Sequence, residues 1–177
     1  MEMLLIVALL IFVAYQMMQP KLNVPKTMSA FHIDPVLVRR GKPYLGTLES
    51  MCRKYGFEPA MIVAQGIIES ALDPTAIGDN GKSKGIMQIQ EAAWNEGSLY
   101  IGRSNNNYDQ CWNSQYINFE VAIGYHLCNA KRANVTDGGF LLRAYNQGIG
   151  GSNNTAAKEY ERRVWAYYHE LKRQRET

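Results

Sequence analysis

The stretch PAMIVAQGIIESALDPTAIGDNGKSKGIMQIQ at residues 59–90 joins an apolar run, a loop rich in turn-forming residues and a short apolar motif. Pro59 is a favourable first residue of a helix, and the apolar side chains after it predict a buried helix that ends near Ser70. The segment at residues 73–84 is dense in Gly, Asp, Asn and Ser, which predicts turns or a short β-hairpin. Glu69 is therefore expected at the junction between a helix and a loop.

Apolar residues at helical spacing flank this stretch on both sides and indicate a mainly α domain at residues 44–173, followed by a polar tail at 174–177. Tyr167 and Tyr168 are expected in the core of this domain. The predicted helical segments are residues 44–55 with a stop at Gly56, the regions around 119–127 and 140–145, and residues 156–173.

The chain opens with an uncharged apolar run, MLLIVALLIFVAYQMM at residues 3–18. A helix of this length nearly spans a hydrocarbon core of about 30 Å. The run lacks the basic flank and the small-residue cleavage site of a secretory signal, so we favour an uncleaved transmembrane helix over residues 1–19. A cleaved signal and a buried core helix are the alternatives. Four prolines and scattered basic residues then predict a semi-extended tether over residues 20–43.

Composition and missing motifs exclude several function classes. The chain carries 19 Lys+Arg and 16 Asp+Glu, and a net charge of +3 is too small a surplus to indicate nucleic-acid binding. The histidines lie far apart and no C-x-x-C pair occurs, so neither a metal site nor a cofactor is expected. Cys111 and Cys128 could form a disulfide or remain free thiols.

Glu69 is the residue best suited to catalysis. It follows an apolar run on the predicted inward face of its helix, and apolar surroundings disfavour the charged form of a carboxyl group. We therefore expect its pKa to be raised. A glutamic acid that stays protonated near neutral pH can donate its proton to a glycosidic oxygen.

Four further motifs follow Glu69 and Ser70 in a fixed order: Asp73-Pro74, GDNGKSKGIMQIQ at residues 78–90, AYNQG at residues 144–148 and YERRVWAYY at residues 160–168. Their order and spacing resemble the soluble lytic transglycosylase and goose-type lysozyme group of the lysozyme-like superfamily. The resemblance implies a mainly α, lysozyme-like fold with a short β-hairpin or turn region. It also implies cleavage of the β-1,4 bond between N-acetylmuramic acid and N-acetylglucosamine in peptidoglycan.

The resemblance further implies roles for the residues that face the cleaved bond. Glu69 would act first as the acid and then as the base. Tyr145 and Asn146 look like the family's pair at the scissile bond, with Asn146 positioning the acetamido group of the sugar or stabilising charge. Tyr160 resembles the late tyrosine whose hydroxyl holds the catalytic carboxyl group in place.

Other matching residues are expected to contact the substrate. Gly85 would let the backbone approach the sugar, because it has no side chain in the way. Met87 and Gln88 of the same motif would line the cleft, and Gln88 would supply a hydrogen-bonding amide. Ser70, which follows the acid directly, completes the predicted substrate contacts.

The remaining chemical question is whether water or a hydroxyl of the sugar attacks. Lytic transglycosylases resemble substrate-assisted enzymes, in which the C6 hydroxyl closes a 1,6-anhydro ring and no second carboxylate is needed. Goose-type lysozymes carry two further acidic positions. Asp79 stands at the first of these and is a candidate second acid, although G-D-N-G is also a turn signal, while Gln90 stands at the second. This departure favours the transglycosylase, with a hydrolase and an inactive peptidoglycan-binding or scaffold module as alternatives.

The expected partners are peptidoglycan strands, a membrane through the N-terminal helix, and proteins of a phage virion or secretion apparatus. Action at the periplasmic side of the envelope, or from a virion membrane, would open the wall locally. Basic residues follow the apolar run at 3–18 and none precedes it, which by the positive-inside tendency would leave the domain in the cytoplasm. An envelope role then requires release or delivery by another route.

Overall fold

Seven α-helices and one small sheet are formed by the residues that the computed structural model describes, which are 31–103, 107–112 and 114–175. The helices are α1 (Pro35–Thr47), α2 (Glu49–Tyr55), α3 (Pro59–Ser70), α4 (Glu91–Tyr100), α5 (Gln115–Ala133), α6 (Gly138–Gly151) and α7 (Thr155–Arg175). The strands β1 (Ile77–Gly78), β2 (Ser83–Lys84) and β3 (Ile89–Gln90) form an antiparallel sheet in the order β1-β2-β3. Short 3-10 turns lie at Asp79–Gly81 and Tyr108–Trp112.

The mainly α fold with a small sheet agrees with the sequence prediction, but the transmembrane helix in the predicted fold class is not found among the described helices. Across the described residues, none of the helices combines the length and the apolar character needed to cross a bilayer. The run assigned to the membrane, residues 1–19, itself lies outside the described residues.

The tether prediction is wrong for residues 35–43, which belong to α1. The Asp34 side chain caps this helix by accepting a hydrogen bond from the Val36 N–H at 2.8 Å, and Pro35 occupies the first turn. Val38 and Leu45 face the core. The domain therefore begins before residue 44, because a proline at a helix start supports the helix instead of breaking it.

The single helix predicted over residues 44–55 is also divided. α1 ends at Thr47, Leu48 caps both neighbouring helices, and α2 runs to the predicted stop at Gly56, whose φ of 75° suits a glycine. At the other end of the domain, the first two residues of the predicted tail at 174–177 continue α7.

α3 is the central helix, and its predicted bounds are confirmed. Every residue from Ala60 to Ile67 is buried, because the helix packs against both α1 and α7. A helix that is apolar on all sides is stable in such a position. It ends at Ala71, which takes a left-handed conformation with φ 56°. This ending places Glu69 in the last helical turn.

The sheet is joined to the end of α3 through Ser70. The Ser70 hydroxyl donates a hydrogen bond to the Ile86 carbonyl at 2.8 Å, in the turn between β2 and β3. Gly85 in the same turn has a φ of 75°, and a Cβ added there would lie 2.7 Å from Asn118 Nδ2. These contacts hold the sheet beside Glu69.

A second helix pair, α4 and α5, lies beside the sheet, and α4 contacts β3. The two helices cross closely, because a Cβ at Gly97 would collide with the Val121 carbonyl and one at Gly124 with the Gly97 carbonyl. Sequence analysis did not predict α4. Cys111 and Cys128 are free thiols, so of the two alternatives for this pair the disulfide is not formed.

Candidate active site

A cavity of about 610 Å³ opens between the end of α3, the sheet and α6. Glu69 lies on its wall together with Asp79, Tyr145 and Asn146, so the structure brings together residues that are up to 77 positions apart in sequence. A second cavity of about 690 Å³ shares Gln90 with the first and extends the cleft across the sheet.

The Glu69 carboxyl group has the properties of a proton donor near neutral pH. Burial raises its pKa from the ordinary value of 4.5 to about 7. The Tyr160 hydroxyl donates a hydrogen bond to Glu69 Oε1, which opposes this rise, and the negative charge of Asp79 adds to it while Arg163 opposes it. The predicted contact between the late tyrosine and the acid is therefore present.

Asp79 stays charged in the same cavity. The Ser83 hydroxyl donates to Asp79 Oδ2, and Gln90 Nε2 donates to the same oxygen at 3.1 Å. These hydrogen bonds lower the pKa of Asp79. Gln90 stands where goose-type lysozymes carry their second acid, and it donates a hydrogen bond to Asp79, which stands at the position of the first. The two carboxyl groups, Glu69 and Asp79, have opposite pKa shifts, so Glu69 is the one of the pair that can hold a proton near neutral pH.

Tyr145 and Asn146 are placed side by side by α6. The Tyr145 hydroxyl donates to the Met87 carbonyl at 2.8 Å, and its ring packs edge-on against Tyr125 with centroids 5.6 Å apart. Asn146 is exposed on the cavity wall. Two residues later Gly148 has φ 69° and ψ 167°, which interrupts the helix at the cavity wall.

Three of the residues predicted to contact the substrate make structural contacts within the protein. The Met87 side chain does not line the cleft, because it is fully buried, and its N–H donates to Asn118 Oδ1 at 2.8 Å. Gly85 is needed for its positive φ and for the space that Asn118 fills, and it does not lie on the cavity wall. Ser70 is likewise not on the wall and instead anchors the turn at Ile86.

Gln88 does line the cavity, as expected, but its amide is already engaged. Gln88 Nε2 donates to the carbonyls of Ala76 at 3.0 Å and Gly85 at 2.9 Å. Its φ of 45° shows that the turn holds it in a left-handed conformation. The Gln88 side chain therefore fixes the shape of the wall, and its amide oxygen Oε1 lies beside Gly78.

The wall also contains residues that sequence reasoning did not assign to the site, among them Ser83 and Tyr125. Ser83 lies in a segment that looks like an ordinary turn, and Tyr125 lies on a helix where a tyrosine looks like a core residue. Ser83 has no local signal, because it reaches the cavity through the packing of the sheet. Within the described ranges, no group of three or more His, Cys, Asp or Glu side chains is arranged to hold a metal ion.

The comparisons with known proteins agree with this geometry. The model of the family described as Transglycosylase SLT domain matches residues 47–168. No curated protein matches the chain. Among solved structures, the chain is similar to the X-ray structure of an inactive mutant of the lytic transglycosylase Slt from Pseudomonas aeruginosa, with a TM-score of 0.63 and 18% sequence identity.

That structural match covers 73% of this chain and 24% of the Pseudomonas chain, so this chain spans about a quarter of the length of that relative. At this identity the likeness concerns the fold. The family match is independent of it and covers more than half of the chain. The chain therefore belongs to the Transglycosylase SLT domain family.

Proposed function

We propose that the enzyme cleaves the β-1,4 bond between N-acetylmuramic acid and N-acetylglucosamine in peptidoglycan and releases a 1,6-anhydro product. The observation that carries this proposal is the Glu69 carboxyl group, whose pKa is raised to about 7 on the wall of an open cleft. Such a group is a general acid in the pH range where most proteins work.

The reaction proceeds in two proton transfers at one residue. Glu69 gives its proton to the bridging oxygen as the bond from C1 of the muramic acid breaks, and the departing sugar keeps that proton as a hydroxyl group. The C6 hydroxyl of the same muramic acid then bonds to C1, and the Glu69 carboxylate takes the released proton. The enzyme returns to its starting state, and no water is consumed.

The hydrogen-bonding groups beside Glu69 fit both halves of this cycle. The Tyr160 hydroxyl stabilises the carboxylate after the first transfer, since it donates to Glu69 Oε1. The exposed amide of Asn146 lies on the same wall and is suited to the acetamido group of the sugar. The second cavity at Gln90 offers room for a glycan strand that extends beyond the cleaved bond.

The position of Gln90 favours the anhydro product over hydrolysis. A hydrolase of this kind needs a carboxylate that can activate water. Gln90 is an amide, and Asp79 accepts hydrogen bonds from both Ser83 and Gln90 through one oxygen. Glu69 then accepts the proton of the attacking group. That group is the C6 hydroxyl, which belongs to the substrate and is therefore held next to Glu69 when the sugar is bound.

The test is digestion of purified sacculi by the full chain, with mass spectrometry of the released fragments. We expect 1,6-anhydro ends. Glu69→Gln should lower the rate by at least about a hundredfold, as expected for loss of a general acid. Asp79→Asn is the matched control, because it changes a carboxyl to an amide in the same cavity, and it should keep the anhydro product.

Other products would favour the alternatives. Reducing ends that disappear with Asp79→Asn would identify a hydrolase that uses Asp79 as its second carboxylate. Binding to sacculi without release of fragments, unchanged by Glu69→Gln, would identify an inactive binding module. Either result would refute the proposed reaction.

We also propose that the enzyme acts in the cell envelope, where its substrate lies, and opens the wall locally during phage infection or the assembly of an envelope-spanning apparatus. The small size of the catalytic domain supports action at a confined place, since the family match spans residues 47–168. The role is tested by introducing Glu69→Gln in the producing phage or cell. An unchanged rate of DNA entry or of apparatus assembly would contradict it.

A further inference from the structure

Two buried polar side chains lie beneath the active site and take no part in the reaction described above. Gln65 is in α3, one helical turn before Glu69, and His126 is in α5, and both are fully buried. His126 Nε2 donates a hydrogen bond to Gln65 Oε1 at 2.8 Å, across 61 residues of sequence. Polar groups are rarely buried in this way without a function or a full set of partners.

The other side of the Gln65 amide faces Tyr160. Gln65 Nε2 makes no hydrogen bond of ordinary geometry within the part of the chain that the structure describes. It nevertheless approaches Tyr160 closely enough to lower the pKa of that phenol, although burial keeps the pKa well above its ordinary value. Tyr160 in turn donates to Glu69 Oε1. The four side chains are thus arranged in the order His126, Gln65, Tyr160, Glu69.

His126 is a neutral anchor for this arrangement. Burial lowers its pKa to about 3, so the ring stays uncharged over the whole range in which the enzyme would work. Its ring packs against Tyr145, with centroids 4.9 Å apart, and against Phe57 at 5.7 Å. Contacts on two sides fix the ring plane and therefore fix the Gln65 amide.

We propose that Gln65, held by His126, is a positioning residue that directs the Tyr160 hydroxyl toward the catalytic acid. This inference rests on the proposed function of Glu69. A phenol that faces an N–H group on one side keeps its own O–H for the opposite side, where Glu69 Oε1 accepts it. The approach of the amide also makes the phenol a stronger donor. Gln65 itself touches no substrate.

The effect on Glu69 has a defined sign. The hydrogen bond from Tyr160 lowers the Glu69 pKa, so loss of its alignment raises that pKa further. The other charged and titratable groups that face Glu69 are Asp79 beside the sheet, Arg163 on α7 and Tyr145 on α6. A change at Gln65 replaces none of them, and a phenylalanine at position 126 would keep an aromatic ring against Tyr145. The alkaline limb of the pH–activity profile, where activity falls because Glu69 loses its proton, should therefore move to higher pH.

The decisive variant replaces both members of the pair by apolar side chains of similar shape, Gln65→Met with His126→Phe. Removing both partners together avoids leaving one buried group unpaired, which is the main cost of either single change. The control is Ser98→Ala, which removes another fully buried polar group in α4, away from the cavity. Each full-length protein is assayed on sacculi from about pH 5 to about pH 9.

We expect the double variant to keep its far-UV spectrum and its apparent KM, to lose about tenfold in kcat and to shift the alkaline limb to higher pH. Ser98→Ala should leave both limbs in place. An unchanged kcat and limb in the folded double variant would overturn the inference. Failure of both the double variant and Gln65→Met to fold would also overturn it, since the pair would then be a core element. If the wild-type enzyme releases no fragments, the proposed function itself fails.

Discussion

Replacing Glu69 by glutamine should make the protein more stable at alkaline pH while removing its activity. A carboxyl group whose pKa is raised in the folded state binds its proton more tightly there than in the unfolded chain. Below the unfolded value of 4.5 the acid is protonated in both states, and glutamic acid and glutamine are then close equivalents. As the pH rises through about 7, the folded protein must hold a buried carboxylate.

The size of the effect follows from the pKa difference. Each pKa unit corresponds to about 1.4 kcal/mol of differential interaction between the two protonation states. A rise from 4.5 to about 7 therefore costs the wild-type protein about 3 kcal/mol of folding free energy at high pH. Glutamine carries no charge, and its carbonyl oxygen can still accept the hydrogen bond from Tyr160.

The measurement is urea unfolding of the wild-type protein and Glu69→Gln at several pH values between about 4 and about 9. The difference in unfolding free energy should be near zero at the acid end and grow toward about 3 kcal/mol at the alkaline end. Glu91→Gln, the same chemical change at an exposed site on α4, should show little of this pH dependence. A stabilisation by Glu69→Gln that is equal at all pH values, or absent at pH 9, would refute the reasoning.

Three other substitutions test separate parts of the structure. Tyr160→Phe removes the donor to Glu69, so the alkaline limb of the pH–rate profile should move to higher pH with about a tenfold lower kcat, and an unmoved limb would contradict this role. Gly85→Ala should destabilise the fold by about 2 kcal/mol in urea unfolding, because φ is 75° and the new Cβ would press on Asn118. Gly97→Ala should cost about 2 kcal/mol or more, since α4 and α5 must separate, and an unchanged melting temperature would disprove that close crossing.

The helix that carries the acid could be predicted from sequence because its signals are local. Pro59 at its start and the apolar run after it determine α3, and the predicted end at Ser70 is confirmed. α1 was missed because its prolines look like breakers, although Pro35 occupies the first turn and Pro43 is accommodated later in the helix. α4 was missed because its apolar side chains do not form a clear stripe.

In the candidate site, too, residues with a local sequence motif could be predicted, whereas contacts between distant segments could not. The motif match identified Glu69 and Tyr160, but it could not show that the Met87 side chain turns into the core while its backbone meets Tyr145. Which way a side chain points depends on the turn around it, and the turn after Gly85 is determined by a contact with a helix about 30 residues away. His126 likewise gives no signal in sequence, because its partner lies on another helix.

The place of Glu69 within α3 has a consequence for how its proton is held. Peptide dipoles aligned along a helix sum to a partial negative charge at the carboxyl end, where an anion is disfavoured. Glu69 lies in that last turn, next to the final residue of the helix. The backbone of α3 thus opposes ionisation together with burial, and no change of a single neighbouring side chain abolishes its contribution. Lengthening the helix by even one turn would weaken this contribution, so the left-handed residue at Ala71 helps to keep Glu69 protonated near neutral pH.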